Sequence, residues 1–260
     1  MLGIPISVVT LDTAAEALVR WAGDERGRYV GAREVASVMA MHEDPELLAV
    51  TRGADMNLPD GMPLVWIARR RGLPVSRAGG PDLMERMLRE GGENGLKHFF
   101  YGGKEGVADK LADRFRREVP GVQIVGTYCP PFRRLTAEED ARVVAMVRES
   151  GANVVWVGIS SPKQDVWMAE HVDQLPVTML GVGAAFDFLS GEIRRAPGWM
   201  QKSGLESVFR LMTDFRRLWH RYLVLAPRFV FKVLFVPQAN RAPTRSDVFR
   251  RPYGADERIR

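Results

Sequence analysis

Apolar residues in the middle of the chain fall into short runs that end in glycine, and each run is followed by a segment with helical periodicity. Three such units are KHFFYGG with KEGVADKLADRFRREV, GANVVWVGISSPKQ with DVWMAEHVDQL, and PVTMLGVG with AAFDFLSG. A fourth apolar run, VQIVGTY, lies between the first two units. Alternation of buried strands with helices is typical of a parallel sheet. The pattern therefore predicts an α/β fold with an open, mainly parallel sheet flanked by helices.

The first part of the chain has a less regular pattern. It predicts a strand over residues 5–10 and helices over residues 12–24, 35–48, 61–71 and 81–92. Asp60 stands directly before the third of these helices, between Pro59 and Gly61. An aspartate at this place commonly caps the helix, but a carboxylate that faces a cleft can also accept a proton from a substrate. The local pattern leaves both roles open.

The character of the chain changes at residue 196, where a helical pattern rich in aromatic residues and arginine begins. Its most apolar segment, residues 222–236, is interrupted by Pro227, Arg228 and Lys232, so a membrane-spanning helix is not expected. A helix that lies on a bilayer and a helix packed on the protein's own body are both open. The predicted organisation is an α/β core over residues 1–195, a basic helical appendage over residues 196–237 and a disordered tail over residues 238–260.

Charge is distributed unevenly along the 260 residues. Residues 194–260 hold 15 Lys and Arg against 5 Asp and Glu, whereas the whole chain has a net charge of only +5. A basic end favours an anionic partner such as phosphate, acidic lipid or nucleic acid, although it can also serve solubility alone. Cys129 is the only cysteine, so no disulfide framework is expected. With no signal-peptide pattern at the first residues, we expect a cytoplasmic protein.

Glycines follow the predicted strands at the edge where open α/β sheets bind ligands. These glycines are Gly102, Gly103, Gly158, Gly181 and Gly183. The loop YGGKEG could hold a phosphate through backbone N–H groups, or be only a tight turn, because it matches neither the P-loop nor GxGxxG. In SSPKQD, Lys163 and Gln164 stand near the start of a helix, where they could bind an anion or an amide or simply begin the helix.

No metal is expected at this edge of the sheet. The four histidines lack ligand spacing, and no Asp-x-Asp pair is present to hold Mg²⁺ on a diphosphate. A bound diphosphate would be neutralised by backbone amides, lysine and arginine. The available arginines are Arg194, Arg195, Arg210, Arg216, Arg217 and Arg221.

Seven pieces of the sequence, in order, resemble the WecG/TagA/CpsF family of bacterial glycosyltransferases (glycosyltransferase family 26). They are LPDGMPLVW, RAGGPDLM, FFYGGKEGVA, GTYCPPF, VGISSPKQDVWM, GVGAAFDFLSGEIRRAPGWMQKSGLE and FRLMTDFRRLWHRYL, and they extend over roughly residues 30–225. Each piece alone is weak, but PDG, PKQ and FDF-SG-RRAP-W in this order are specific.

The resemblance implies a Rossmann-like core and a hexosyl- or N-acetylhexosaminyltransferase (EC 2.4) of bacterial surface or exopolysaccharide synthesis. It implies inverting transfer from a UDP-sugar to a polyprenyl-diphosphate-linked glycan, without a metal or other cofactor. The enzyme would be peripheral on the inner face of the cell membrane, with its anionic surface as a partner. Asp60 is then the catalytic base. The residues expected to bind substrate are Arg77, Gly102, Gly103, Lys163, Gln164, Gly183, Asp187, Arg195, Arg210, Arg217 and Arg221.

The sequence departs from the family pattern at several places. Arg33 and Val35 stand where a Thr-x-Asn cluster is usual, so a sugar-contacting threonine is absent. PKQE is replaced by PKQD, which ends in Asp165, and GLEW by GLES, which ends in Ser207. Where the family has Glu-Pro, this chain has Asp214 and Phe215.

The lost polar cluster keeps one alternative open, a catalytically silent nucleotide-sugar-binding or regulatory protein on the same scaffold. A nicotinamide-dependent oxidoreductase is disfavoured because GVGAAF lacks the third glycine of the dinucleotide fingerprint. A nucleic-acid partner would rest on the basic tail alone and is not expected. The sequence leaves the oligomeric state open, a homo-oligomer included.

Overall fold

The computed structural model describes residues 1–90, 92–198, 200, 206–213 and 215–235, without the side chains of residues 207, 210, 217, 218, 221, 222 and 234. Six strands form one sheet: β1 (Arg28–Arg33), β2 (Met56–Pro59), β3 (Lys97–Gly102), β4 (Gln123–Tyr128), β5 (Val154–Gly158) and β6 (Thr178–Gly181). Their order is β2-β1-β6-β5-β3-β4, and every neighbouring pair is parallel. The predicted open parallel α/β sheet is therefore confirmed.

Helices connect the strands and continue after the last one. They are α1 (Leu11–Ala22), α2 (Val35–Glu43), α3 (Pro45–Arg52), α4 (Met62–Arg70), α5 (Gly80–Glu90), α6 (Val107–Glu118), α7 (Ala137–Glu149), α8 (Lys163–His171), α9 (Ala185–Leu189), α10 (Glu206–Thr213), α11 (Phe215–Trp219), a π-helical stretch (His220–Leu225) and α12 (Ala226–Phe235).

Side chains alternate across the central strands, so the sheet has a hydrophobic core on each face. On one face, Phe100 and Trp156 pack with Leu111 of α6. On the other, Tyr101 and Val157 belong to the cluster that includes Met168 of α8. Because both faces are covered, the strands are nearly continuous apolar runs, and this is why β3, β5 and β6 were predictable.

Three parts of the predicted pattern are wrong or incomplete. Residues 5–10 form no strand; their contacts with the edge strand β2 include a bond from the Ser7 N–H to the Asn57 carbonyl at 2.9 Å. The predicted helix over residues 35–48 is two helices, because Asp44 caps a new helix that begins at Pro45. Strands β1 and β2 and helix α7 were not predicted; β1 begins and ends with a buried arginine, which hides its strand character.

The helix α12 packs against the body of the protein. Phe229 and Val233 are buried in a cluster with Leu2 and Ile4 and with residues of α2 such as Val38. No described helix is long and apolar enough to cross a membrane. The predicted tail over residues 238–260 lies outside the described residues, and the predicted domain limits stay a prediction.

Candidate active site

Asp60 lies at the carboxyl edge of the sheet, immediately after β2. The N–H groups of Asp60 and Gly61 both donate to the carbonyl oxygen of Arg33, at 2.9 Å and 3.0 Å. The N-cap residue of α4 is Gly61, not Asp60, and the helix start has no side-chain capping hydrogen bond from that position. Asp60 therefore does not cap α4 through its carboxylate, and the carboxylate points into a cluster of charged groups instead.

Arg77 holds Asp60 at two points. Its Nε donates to the main-chain oxygen of Asp60 at 2.9 Å, and its Nη2 donates to Oδ1 of Asp60 at 3.1 Å. The same guanidinium lies 3.4 Å from Oδ2 of Asp82 and 3.0 Å from Oε2 of Glu206. A second arginine, Arg195, lies 2.7 Å from Oδ1 of Asp82. Among the described residues, two guanidinium groups thus stand among three carboxylates.

The cluster has opposing effects on the protonation of Asp60. Burial raises the pKa of the Asp60 carboxyl above its ordinary value of 3.8, and the neighbouring carboxylates of Glu206 and Asp82 act in the same direction. The Arg77 guanidinium lowers the same pKa, but the raising effects outweigh it. With 24% of its side chain still exposed, Asp60 remains within reach of a molecule at the edge of the sheet. A reachable carboxylate with a raised pKa is suited to general-base chemistry.

Two glycines at the start of α5 let this cluster form. A Cβ at Gly79 would lie 2.7 Å from Oδ1 of Asp60 and 3.0 Å from Oδ2 of Asp82. A Cβ at Gly80 would lie 3.1 Å from Cα of Val182. The charged cluster therefore sits directly beside the loop that contains Gly183.

The predicted glycine loops do come together. Gly102 and Gly103 have positive φ, and the N–H of Gly103 donates to the carbonyl of Gly158 at 3.0 Å. A Cβ at Gly102 would lie 2.6 Å from the Gly158 backbone, so only glycine fits there. Gly183 also has positive φ, and no heavy atom would lie within 4 Å of a Cβ there. The ends of β3, β5 and β6 thus form a glycine-rich surface that a phosphate could approach closely.

The two predicted residues in the first turn of α8 differ in burial, since Lys163 is exposed and Gln164 is buried. Gln164 is buried, and its Oε1 accepts a hydrogen bond from the N–H of Gly183 at 3.0 Å. Its side-chain carbonyl therefore holds the β6–α9 loop. Lys163 is more open, with Nζ 5.3 Å from the centroid of the fully exposed Phe132 ring.

Among the other predicted residues, Asp187 has a buried Oδ1 without a hydrogen-bond partner in the described part of the chain. Such an orphaned acceptor is consistent with a ligand group that donates to it. The side chains of three more predicted residues lie outside the described part of the chain: Arg210, Arg217 and Arg221.

Sequence reasoning missed Asp82 and Glu206 as site residues. Both were visible inside family-like pieces, RAGGPDLM and SGLE, but only proximity in space joins them to Asp60. Within the described residues, no group of three His, Cys, Asp or Glu side chains is placed to hold a metal ion.

Comparison with known proteins decides the family. A model described as the glycosyl transferase WecG/TagA/CpsF family matches residues 1–242. The chain belongs to this family. It is therefore a glycosyltransferase, and the resemblance inferred from the sequence is confirmed.

A curated relative supports this assignment. The chain is 30% identical over 203 residues to the N-acetylglucosaminyldiphosphoundecaprenol N-acetyl-beta-D-mannosaminyltransferase of Bacillus spizizenii, covering 77% of this chain and 76% of that protein. By its name, that relative transfers an N-acetylmannosaminyl group to an undecaprenyl-diphosphate-linked N-acetylglucosamine.

Proposed function

We propose that this glycosyltransferase moves a sugar from a UDP-sugar to a polyprenyl-diphosphate-linked acceptor, with inversion at the anomeric carbon. The observation that carries the proposal is the carboxylate of Asp60, raised in pKa, reachable and held by Arg77 beside the glycine-rich surface. The acceptor class is supported by the name of the Bacillus spizizenii relative. The process served would be the synthesis of a bacterial surface polysaccharide or exopolysaccharide.

In the proposed reaction, Asp60 takes the proton of an acceptor hydroxyl while that oxygen forms a bond to the anomeric carbon. The bond between the anomeric carbon and the β-phosphate oxygen breaks, and its electron pair leaves with UDP. A single displacement inverts the anomeric configuration and needs no covalent enzyme intermediate. The gain in negative charge on UDP is stabilised by backbone N–H groups at the start of α6, which follows the Gly102–Gly103 loop, and by cationic side chains.

This proposal needs no metal or other cofactor. Lys163 supplies an exposed positive charge at the start of α8, whereas Arg77 and Arg195 are paired with the carboxylates of the Asp60 cluster. The backbone at Gly103 and Gly183 lets a diphosphate approach closely. Lys163 and the helix start after Gly103 would therefore offset part of the charge of a leaving diphosphate.

The proposal includes association with an anionic membrane surface, because a lipid-linked acceptor lies in a membrane and the end of this chain is basic. The outer faces of the helices from α10 to α12 carry exposed apolar side chains: Met212, Phe215, Trp219, Leu223, Phe231 and Phe235. The same end of the chain holds the excess of positive charge. An apolar face combined with basic residues is typical of helices that lie on a bilayer.

The test is UDP release from a panel of UDP-sugars, with and without a polyprenyl-diphosphate-linked sugar. We expect acceptor-dependent release from one donor, reduced on the order of 10²–10⁴-fold in Asp60→Asn because the base is lost. Asp113→Asn, on the exposed side of α6, is the matched control and should keep wild-type turnover.

Unchanged turnover in Asp60→Asn would falsify the assignment of the base. Binding of UDP without transfer from any donor, even with a broad acceptor set, would instead favour the silent nucleotide-sugar-binding alternative. The configuration of the product, measured by NMR of the new glycosidic bond, tests inversion directly.

A further inference from the structure

Arg33, the last residue of β1, has a completely buried side chain beneath the site. Its Nε donates to Oδ1 of Asn57 at 2.6 Å, and its Nη1 donates to Oδ1 of Asp165 at 2.5 Å. The side chains of Arg33 and Asp165 are both 0% exposed. The other oxygen of Asp165 accepts a hydrogen bond from the hydroxyl of Ser161 at 2.7 Å.

The main chain of Arg33 makes a second connection. Its carbonyl oxygen accepts hydrogen bonds from the N–H groups of Asp60 and Gly61, at 2.9 Å and 3.0 Å. The main chain of Arg33 therefore holds the turn that carries Asp60, and its side chain holds the start of α8. Gln164, the neighbour of Asp165 in the chain, accepts a hydrogen bond from the N–H of Gly183. Arg33 is therefore linked through α8 to the β6–α9 loop.

Glycines in two strands make room for this arrangement. The guanidinium of Arg33 folds back over Gly31, where a Cβ would lie 2.0 Å from Nη2. Gly181 of the neighbouring strand leaves the same kind of space for Gln164, whose Nε2 would lie 2.7 Å from a Cβ. The polar layer between the sheet and α8 therefore requires small residues at both positions.

The pair is poorly explained by stability alone. Two buried charges lose their hydration, and well-packed apolar residues of similar volume are often equally stable or more stable. Nη2 of Arg33 is also buried without a hydrogen-bond partner in the described part of the chain, which adds a further cost. The pair does fix the orientation of neighbouring groups, because a planar guanidinium held at two nitrogens constrains the side chains that it contacts.

We propose that Arg33 and Asp165 are a positioning pair. They fix the turn that carries Asp60 relative to the start of α8 and the β6–α9 loop, which would hold the donor. The inference rests on the proposed function for its catalytic consequence. Neither residue would touch the substrate, because both are fully buried.

The experiment compares Arg33→Met, Asp165→Leu and the double variant. Each single variant should lose thermal stability, because the remaining charge is buried without its partner. The double variant should recover a Tm within about 3 °C of wild type, since an apolar pair replaces the charges. We expect its kcat nevertheless to stay about 10-fold to 100-fold below wild type, because misplacement of reacting groups is costly.

Hydrogen–deuterium exchange on the ligand-free protein supplies a readout that does not depend on the substrate. In the double variant, the amides of Asp60, Gly61 and Gly183 should exchange faster, while those of the central strands keep their protection. The exposed pair Arg89 and Glu118 is the matched control, and Arg89→Met with Glu118→Leu should change neither kcat nor these amides.

Wild-type kcat and unchanged exchange in the double variant would overturn the inference, since the pair would then only contribute stability. Should the double variant not fold, Arg33→Lys keeps the charge but loses the planar, two-point contact of the guanidinium. Wild-type kcat with wild-type exchange in Arg33→Lys would overturn the inference equally. If the wild type transfers no sugar from any UDP-sugar, the proposed function fails, whereas the exchange data still decide whether the pair positions these loops.

Discussion

Asp60 owes its proposed role to the residues around it. Burial and two neighbouring carboxylates raise its pKa, and Arg77 acts in the opposite direction. A general base must be ionised, so its activity is present above its pKa and is lost as the pH falls through that value. The balance of these neighbours therefore sets the acid side of the pH profile.

The effects that raise and lower the pKa of Asp60 can be separated by substitution. Arg77→Met removes the charge that lowers the pKa of Asp60, so the acid limb of kcat/KM should move to higher pH. Glu206→Gln removes a charge that raises this pKa, so the limb should move to lower pH. The measurement is the pH dependence of kcat/KM, with Arg70→Met on the exposed end of α4 as control. Shifts of the same sign in both variants would contradict the assignment of Asp60 as the titrating base.

At the level of elements, α12 has an inner and an outer face. Phe229 is 0% exposed and packs with Leu2 and Val38, whereas Phe231, two residues later, is 60% exposed. The sequence left two possibilities open for this segment, a helix on a bilayer and a helix on the protein's own body. The inner face packs on the body, and the outer face remains available for the proposed membrane contact.

These two phenylalanines are a matched pair for a stability test. Phe229→Ala should lower the free energy of unfolding by about 3 kcal/mol, because it leaves a cavity in the cluster below α12. Phe231→Ala should change it by less than about 0.5 kcal/mol, because the ring is mostly in solvent. Urea denaturation followed by circular dichroism measures both. Equal losses would mean that α12 does not pack as described.

At the scale of the whole molecule, parallel strands bring the candidate residues that follow strand ends to one edge of the sheet. The carboxyl ends of β2, β1 and β6 are neighbours in the sheet, and β5 and β3 follow them. Asp60, Arg33, Gly183, Gly158 and Gly102 stand at or directly after these ends. The basic, apolar-faced helices from α10 to α12 begin at Glu206, which contacts Arg77 in the same cluster. The proposed membrane surface is therefore joined directly to the proposed site.

Membrane association can be tested with vesicles of phosphatidylcholine, with and without phosphatidylglycerol. We expect sedimentation with the anionic vesicles, weakened by salt because the attraction is partly electrostatic. Phe231→Ser with Phe235→Ser should reduce binding about 10-fold or more, since apolar burial in the bilayer is lost. Met146→Ser on α7 is the control. Equal binding of the double variant and wild type would assign the contact to another surface.

Sequence alone was enough for the central strands and for the main candidate residues. The runs that became β3, β4, β5 and β6 are dense in apolar residues and bounded by glycine or proline, so their strand character is local. The glycine loops followed from the same pattern, since ligand-binding turns come after parallel strands. Asp60 and Arg77 were found through ordered family-like pieces, and the structure places them in direct contact.

Only the tertiary structure decided the features that depend on pairs distant in sequence. Strand β1 was hidden because Arg33 has the polarity of a surface residue, and its burial makes sense only with Asp165, a partner 132 positions away. Gln164 faces inward because Gly181 leaves space for it. Glu206 reaches Arg77 across the fold. Burial and charge pairing depend on which elements pack together, and a local pattern of residues does not show that packing.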